Sequence, residues 1–167
     1  RGVYDGKNHK LTNLYVDDHY QYAGFFGLIG ADGGIVNVSF LGENEVNAPH
    51  SMYSGGIVGY QKYYSTLLSQ CFFHGKVSGG YAVGGLFGYA KAPIVECGAV
   101  VQLSGGEKRG GIAGIADNNS SNDGIGRCYS VAIPTDGKPV AGIANPKDGW
   151  TLYFPFQKVD SYYQSGD

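Results

Sequence analysis

Residues 84–88 read Gly-Gly-Leu-Phe-Gly, and residues 94–97 read Ile-Val-Glu-Cys. Variants of the first phrase stand at 23–27 (AGFFG), 55–59 (GGIVG), 110–114 (GGIAG) and 141–145 (AGIAN). Their second residues are Gly24, Gly56, Gly85, Gly111 and Gly142, so the steps are 32, 29, 26 and 31 residues. The second phrase has its own variants: Ile35-Val36-Asn37-Val38, Leu68-Ser69-Gln70-Cys71 and Ile125-Gly126-Arg127-Cys128. Val159-Asp160-Ser161-Tyr162 is a last, weaker copy. A third apolar position follows at Val46, Val77, Leu103 and Ile133. A period of roughly 20–50 residues marks a solenoid or array of stacked units. The phrases hold their length while the spacing between them varies, as for fixed strands joined by turns of variable size.

Helix is excluded by pattern. No stretch carries apolar residues at helical spacing over three turns. Glycine supplies 29 of 167 residues, and each one inside a helix costs about 1 kcal/mol against Ala. Between the glycines lie Val, Ile, Tyr and Phe, which favour strands, bounded by turn-forming Gly, Ser, Asn and Asp. The chain therefore reads as all-β, a coil of about three short strands per repeat. Successive coils stack about 4.8 Å apart, so five make a rod about 25 Å long. Equivalent positions then form columns: Val38 above Cys71, Cys97 and Cys128; Gly56 above Gly85, Gly111 and Gly142; and an inward column of Ile57, Leu86, Ile112 and Ile143. Contacts between neighbouring coils dominate such a quasi-one-dimensional fold.

The glycine phrase with its in-phase Ile-x-x-Cys partner resembles the GLUG-repeat family, named for Gly-Leu-any-Gly. The opening, Tyr4-Asp5-Gly6-Lys7-Asn8-His9-Lys10-Leu11-Thr12-Asn13-Leu14, is similar to the F-D-G-x-G-H-x-I-x-N-L lead-in of these and other right-handed β-helix proteins. Val159-Asp160-Ser161-Tyr162-Tyr163 is similar to their I-x-N-C-Y-Y ending. The resemblance implies a right-handed parallel β-helix-like solenoid of about five coils. It also implies a secreted or surface-attached bacterial protein, often adhesin-like, in which such repeats sometimes accompany a peptidase domain. It brings no catalytic residues with it. The expected organisation is one repeat domain over 1–167: a lead-in coil at 1–22, repeats at 23–149 and an aromatic terminal segment at 150–167. Trp150, Tyr153, Phe154 and Phe156 of that segment are candidates to cap an open solenoid end. The chain begins at Arg1 and its single methionine is Met52, so it reads as a segment of a larger protein.

Net charge is −2, from 12 basic and 14 acidic residues, which leaves no electrostatic footprint for nucleic acid. No apolar run reaches membrane-spanning length. Cys71, Cys97 and Cys128 share one repeat position, so they read as reduced core residues rather than a disulfide with a spare thiol. His9, His19, His50 and His74 lie out of phase with them, which argues against zinc. No cofactor is expected. The oxygen-rich stretch Asp117-Asn118-Asn119-Ser120-Ser121-Asn122-Asp123 matches neither an EF-hand nor a calcium-binding nonapeptide repeat; it reads as a solvated turn. Asp5, Asp17, Asp18, Glu43 and Glu45 read as surface carboxylates, with no Lys or Arg expected beside a carboxylate on the next coil. The Gly79-to-Gly85 run lacks the strand-and-helix context of a dinucleotide loop.

Tyrosine is the anomaly, with 14 copies against one Trp. Tyr60 and Tyr89 share a repeat position and are expected to stack. Tyr20, Tyr22, Tyr53 and Tyr81 fall before the glycine phrase, and Tyr63 and Tyr64 after it. Tyrosine offers a flat apolar face with a polar tip at low entropic cost. These six are therefore the candidate ligand-binding residues, for a host protein or a glycan, although covering strand edges would also account for them. The sequence points to a non-enzymatic adhesin-like module or stalk, extracellular or on the bacterial surface. The alternatives are a carbohydrate-active β-helix enzyme and the accessory repeats of a surface peptidase.

Overall fold

Each coil lays four short strands between glycine corners and left-handed corners. The computed structural model describes residues 2–64, 66–117, 124–147 and 163–165. It is an all-β, right-handed parallel β-solenoid of four to five coils. Among the described residues there is no helix. The expected terminal cap and the last Val-x-x-Tyr phrase, residues 159–162, lie outside them.

The first sheet stacks Gly2–Asp5, Gly33–Val36, Leu67–Ser69, Ile94–Val95 and Ile125–Gly126. The second contains Lys10–Leu11 and Tyr15–Asp17, then Ser39–Phe40 and Glu45–Ala48, then the long strands Phe72–Gly79, Gly98–Gly105 and Tyr129–Pro134, and finally Tyr163–Ser165. The third holds Tyr22–Ala23, Tyr53–Gly55, Ala82–Gly84 and Lys108–Gly110. The fourth holds Phe26–Ile29, Val58–Gln61, Phe87–Ala90, Ala113–Ala116 and Ala144–Pro146. The sequence suggested three segments per repeat. There are four because the paired glycines turn a corner inside their own phrase.

That corner explains the phrase. A Cβ on Gly56 would lie 2.5 Å from the Gly85 carbonyl oxygen, and one on Gly85 would lie 2.1 Å from that of Gly111. The glycine column is thus required by close backbone approach between coils. The last glycine of the phrase serves a second approach: a Cβ on Gly88 would meet the Ser54 amide nitrogen at 2.4 Å, so the fourth sheet presses onto the third. Coil one turns this corner with one residue fewer, since Ala23 pairs with Ser54 but Phe26 pairs with Val58.

The expected columns are present. Ile35, Leu68, Ile94 and Ile125 stack in register. Ile57, Leu86 and Ile112 are buried, with Ile143 partly buried against the same core. The backbone bonds Phe72 N to Val38 O, Gly98 N to Cys71 O and Tyr129 N to Cys97 O place Val38 and the three cysteines one above another. One assignment is corrected. Pro134, not Ile133, continues the Val46, Val77, Leu103 column; Ile133 pairs with Gln102 and faces outward at 38% exposure.

Between the first and second sheets the chain turns through a column of left-handed residues that are not glycine. Asn37, Gln70, Glu96 and Arg127 have φ of 57°, 53°, 57° and 51°. Their side chains form a polar ladder: Gln70 Nε2 donates to Glu96, and Arg127 Nη2 lies 2.8 Å from Glu96 Oε1. A basic residue therefore does stand beside a carboxylate on the adjacent coil, contrary to the sequence reading. Glu45 opposite Lys76 is a second case.

Spacing differences now have locations. From the cysteine-column residue to the second glycine the separation is 18 residues in coil two and 14 in the next three. Two of the four extra residues lie at the second-sheet bend, where Phe40 to Glu45 faces Phe73 to Lys76. The other two lie in the turn after Ala48. Asn44 turns inward at the bend and is 3% exposed. Its Oδ1 accepts from Leu14 N, and its Nδ2 donates to the carbonyls of Leu41 and His74. Its oxygen and both amide hydrogens thus have partners, as a buried amide requires.

Candidate functional site

The glycine corner folds two sheets so closely that outward side chains of one meet those of the other. Tyr22 and Tyr53 lie on strands of the third sheet, paired in register, with rings stacked at 5.7 Å and 6°. Tyr60 and Tyr89 pair in the fourth sheet, with ring centroids 5.5 Å apart at 76°. Across the corner the Tyr53 ring sits 5.3 Å from that of Tyr60 and 4.9 Å from that of Tyr89, and Tyr22 sits 4.9 Å from Tyr60. Tyr81 joins at 6.4 Å from Tyr53. The result is a continuous aromatic seam, in which every ring but Tyr89 is half-buried.

Three of the six candidate tyrosines, Tyr22, Tyr53 and Tyr81, are thus brought together. Tyr20 stands apart at 80% exposure. Tyr63 and Tyr64 lie beyond the far end of the fourth-sheet strand, under lysines: Lys62 Nζ is 5.3 Å from the Tyr63 ring, and Lys91 Nζ is 5.4 Å from the Tyr64 ring. Lys91 also lies 6.0 Å from the Tyr89 ring, which links Tyr64 to the seam. Tyr60 and Tyr89, expected only as a ladder, prove to be the seam's second wall. Their common repeat position was visible; their meeting with Tyr53 depends on the corner.

Burial and the neighbouring tyrosines push the Tyr53 phenol up from its ordinary value. Burial, followed by the hydrogen bond to Asp117, pushes that of Tyr89 up further. Both rings are therefore neutral hydrogen-bonding groups at physiological pH. Tyr89 donates to Asp117 Oδ2 at 2.7 Å. Asp117 is fully buried, with Lys147 Nζ at 3.3 Å and Lys91 Nζ at 3.8 Å from the same oxygen. This aspartate anchors the base of the seam; the rest of its acidic stretch, residues 118–123, lies outside the described residues.

A second feature has no counterpart in the sequence reading. Extra residues at the bends of coils one and two wall a groove of about 460 Å3 on the outer face of the second sheet. Tyr15, Glu45, Lys76, Gln102 and Ile133 line it in register, one from each coil. His74 is on a strand and lines the groove as well, with Nδ1 2.6 Å from the Gly42 carbonyl oxygen.

The cysteines are buried and unbridged, with thiols directed at backbone carbonyls: Cys71 to Ser69 O at 3.2 Å, Cys97 to Val95 O at 3.2 Å and Cys128 to Gly126 O at 3.3 Å. Burial pushes the central Cys97 thiol well up, which keeps it protonated and unreactive. Among the described residues no three His, Cys, Asp or Glu side chains gather as a metal site. His19 and His50 form only a pair, with rings 6.1 Å apart.

Comparison of the chain with protein-family models, with curated proteins and with solved structures found no match. The architecture is a parallel β-solenoid consistent with GLUG-type repeat proteins but not specific to them.

Proposed function

We propose that this chain is a non-catalytic binding module of a secreted or surface-attached bacterial protein, adhesin-like in role, with the tyrosine seam as its contact face. The observation that carries the reading is the seam itself: five rings on three coils, held in register by the backbone and still partly open to solvent. A rigid row of rings suits a partner with flat apolar faces and hydroxyl or amide edges, such as a glycan or an extended segment of a host protein. Each ring contributes about 1 kcal/mol on the scale of aromatic pairs, so affinity requires several together. Among the described residues no helix is long and apolar enough to cross a membrane.

Binding of the purified chain to a glycan array and to host matrix proteins tests the reading. Tyr53→Ser with Tyr81→Ser should weaken any interaction found by about thirtyfold, two rings at the magnitude above, while the thermal midpoint shows that the rod remains folded. Tyr63→Ser with Tyr64→Ser should have a smaller effect, because only Tyr64 reaches the seam. Unchanged affinity in the Tyr53 and Tyr81 variant would reduce the seam to a satellite core. A second reading, a carbohydrate-active enzyme, is favoured by one observation: Glu45, Lys76 and His74 lining one groove. Release of new reducing ends from a polysaccharide by the purified chain would establish that reading instead.

A further inference from the structure

We propose that the groove on the second sheet is an oligosaccharide site, taking an uncharged hexopyranose chain laid along the solenoid axis. It is a separate site from the tyrosine seam, none of whose residues lines it. The inference rests first on polar capacity left for a ligand. Glu45 and Lys76 stand opposite each other, yet form no ion pair among the described residues. Gln102, the next residue in the column, is exposed. The Gly42 carbonyl can only accept, so His74 donates to it from Nδ1, and its Nε2 has no partner among the described residues. Carboxylate, ammonium, amide and imidazole thus supply both donors and acceptors. A hydroxyl, which donates and accepts at one atom, can pair with each of them.

The second argument is spacing and floor. The column supplies one side chain per coil at about 4.8 Å intervals, close to the length of one pyranose unit. Leu14 and Val100, both partly exposed, also line it. Tyr15 and Ile133 mark the two ends, exposed at 65% and 38%. Such surfaces pack against the C–H faces of sugar rings, and a mostly apolar floor with a few placed polar groups is the usual make-up of a ligand site. The third argument is exclusion. Glu43 and Glu45 outnumber Lys76 in the groove, so a polyanion is repelled. The strands that carry Glu45, Lys76 and Gln102 are each paired on both sides, so along the body of the groove an extended peptide finds no free strand edge to join.

The experiment is calorimetric titration of the intact chain with neutral hexasaccharides of β-1,4-glucan, β-1,3-glucan, β-1,4-mannan and α-1,4-glucan. At least one should bind, and Glu45→Gln with Gln102→Ala should weaken it by about tenfold or more, the loss expected for hydrogen bonds to a charged group and an amide. Tyr15→Ala should weaken it independently, and Glu107→Gln, a carboxylate outside the groove, should not. Thermal midpoints of all variants report folding. The proposal is overturned if no hexasaccharide binds at millimolar concentration, or if both groove variants bind as the parent does. It is equally overturned if heparin or an unfolded casein peptide displaces the sugar from the groove as the preferred ligand. Shortening of the hexasaccharide, abolished by the groove variants, would uphold the site and refute the non-catalytic reading. Loss of binding in the Tyr53 and Tyr81 variant alone would assign the sugar to the seam and overturn the groove.

Discussion

Replacing Gly85 by alanine should break the stacking of coils three and four. The added Cβ would lie 2.1 Å from the Gly111 carbonyl oxygen and 2.8 Å from the Ala99 Cβ, where real Cβ contacts are not found below 3.0 Å. Relief requires the neighbouring backbone to retreat by about 1 Å, the gap between that oxygen and an ordinary contact. The obstructing atom cannot swing aside as a side chain would, because Gly111 is fixed by Gly111 N to Ala141 O at 3.0 Å. Overpacking of this kind costs about 1–3 kcal/mol. Stretching the Gly85 N to Gly110 O bond adds about 1 kcal/mol. A destabilisation of about 3 kcal/mol lowers the melting temperature of a chain this size by about 6–12 °C. Gly30→Ala is the matched control, with nothing within 4 Å of its Cβ and no left-handed φ; it should be neutral or stabilising by about 0.5 kcal/mol. Melting followed by circular dichroism decides the matter. A Gly85→Ala protein melting within 1 °C of the parent, or a Gly30→Ala protein equally impaired, would refute close backbone approach as the reason for the glycine column.

Three further outcomes are expected. Arg109 is buried in the third sheet, and its Nη1 donates to Asp136 Oδ1 at 2.5 Å. Burial alone would raise the Asp136 carboxyl, but the hydrogen bonds from Arg109, Lys138 N and Gly105 N outweigh it and hold the group at about 2. Because this folded value lies below the ordinary 3.8, the stabilisation is present above pH about 4 and is lost as pH falls toward 2. Asp136→Asn should cost about 2 kcal/mol near neutral pH by leaving Arg109 without its counter-charge, and should flatten the acid limb of a melting-temperature profile. Cys71, Cys97 and Cys128 should resist a thiol reagent in the folded protein and all three react after denaturation; one reactive thiol would instead mean a disulfide. Cys97→Asp should destabilise by several kcal/mol through an unpaired buried carboxylate, seen as loss of the folded signal at ambient temperature. At Gln70, whose φ is 53°, Asn should stabilise by about 0.5 kcal/mol and Val should destabilise by about 1–2 kcal/mol, because Asn tolerates the left-handed region and β-branched residues do not; urea midpoints read both.

The sequence by itself determined the class of fold and the contents of its core columns. Those features repeat, and in a solenoid the neighbour of a residue is the same position one coil away, so periodicity alone places Cys71 against Cys97 and Gly56 against Gly85. The columns at Asn37, Gln70, Glu96 and Arg127 repeat too, but their left-handed backbone carries no residue-type signal, since the requirement comes from the corner rather than from the side chains. Tertiary structure alone decided what crosses between sheets. Tyr53 meets Tyr60 and Tyr89 only because three glycines let the third and fourth sheets close on each other. Glu45 faces Lys76 only through a register that residues 41–44 reset by two positions. Ile133 turns outward because its strand pairs with Gly98–Gly105 without a shift, which puts Pro134 opposite Leu103. The groove exists because those extra residues bulge outward while Asn44 plugs the bend from within. Each is a matter of how coils of unequal length are accommodated, which backbone hydrogen bonding settles in three dimensions and a repeat read along the chain does not contain.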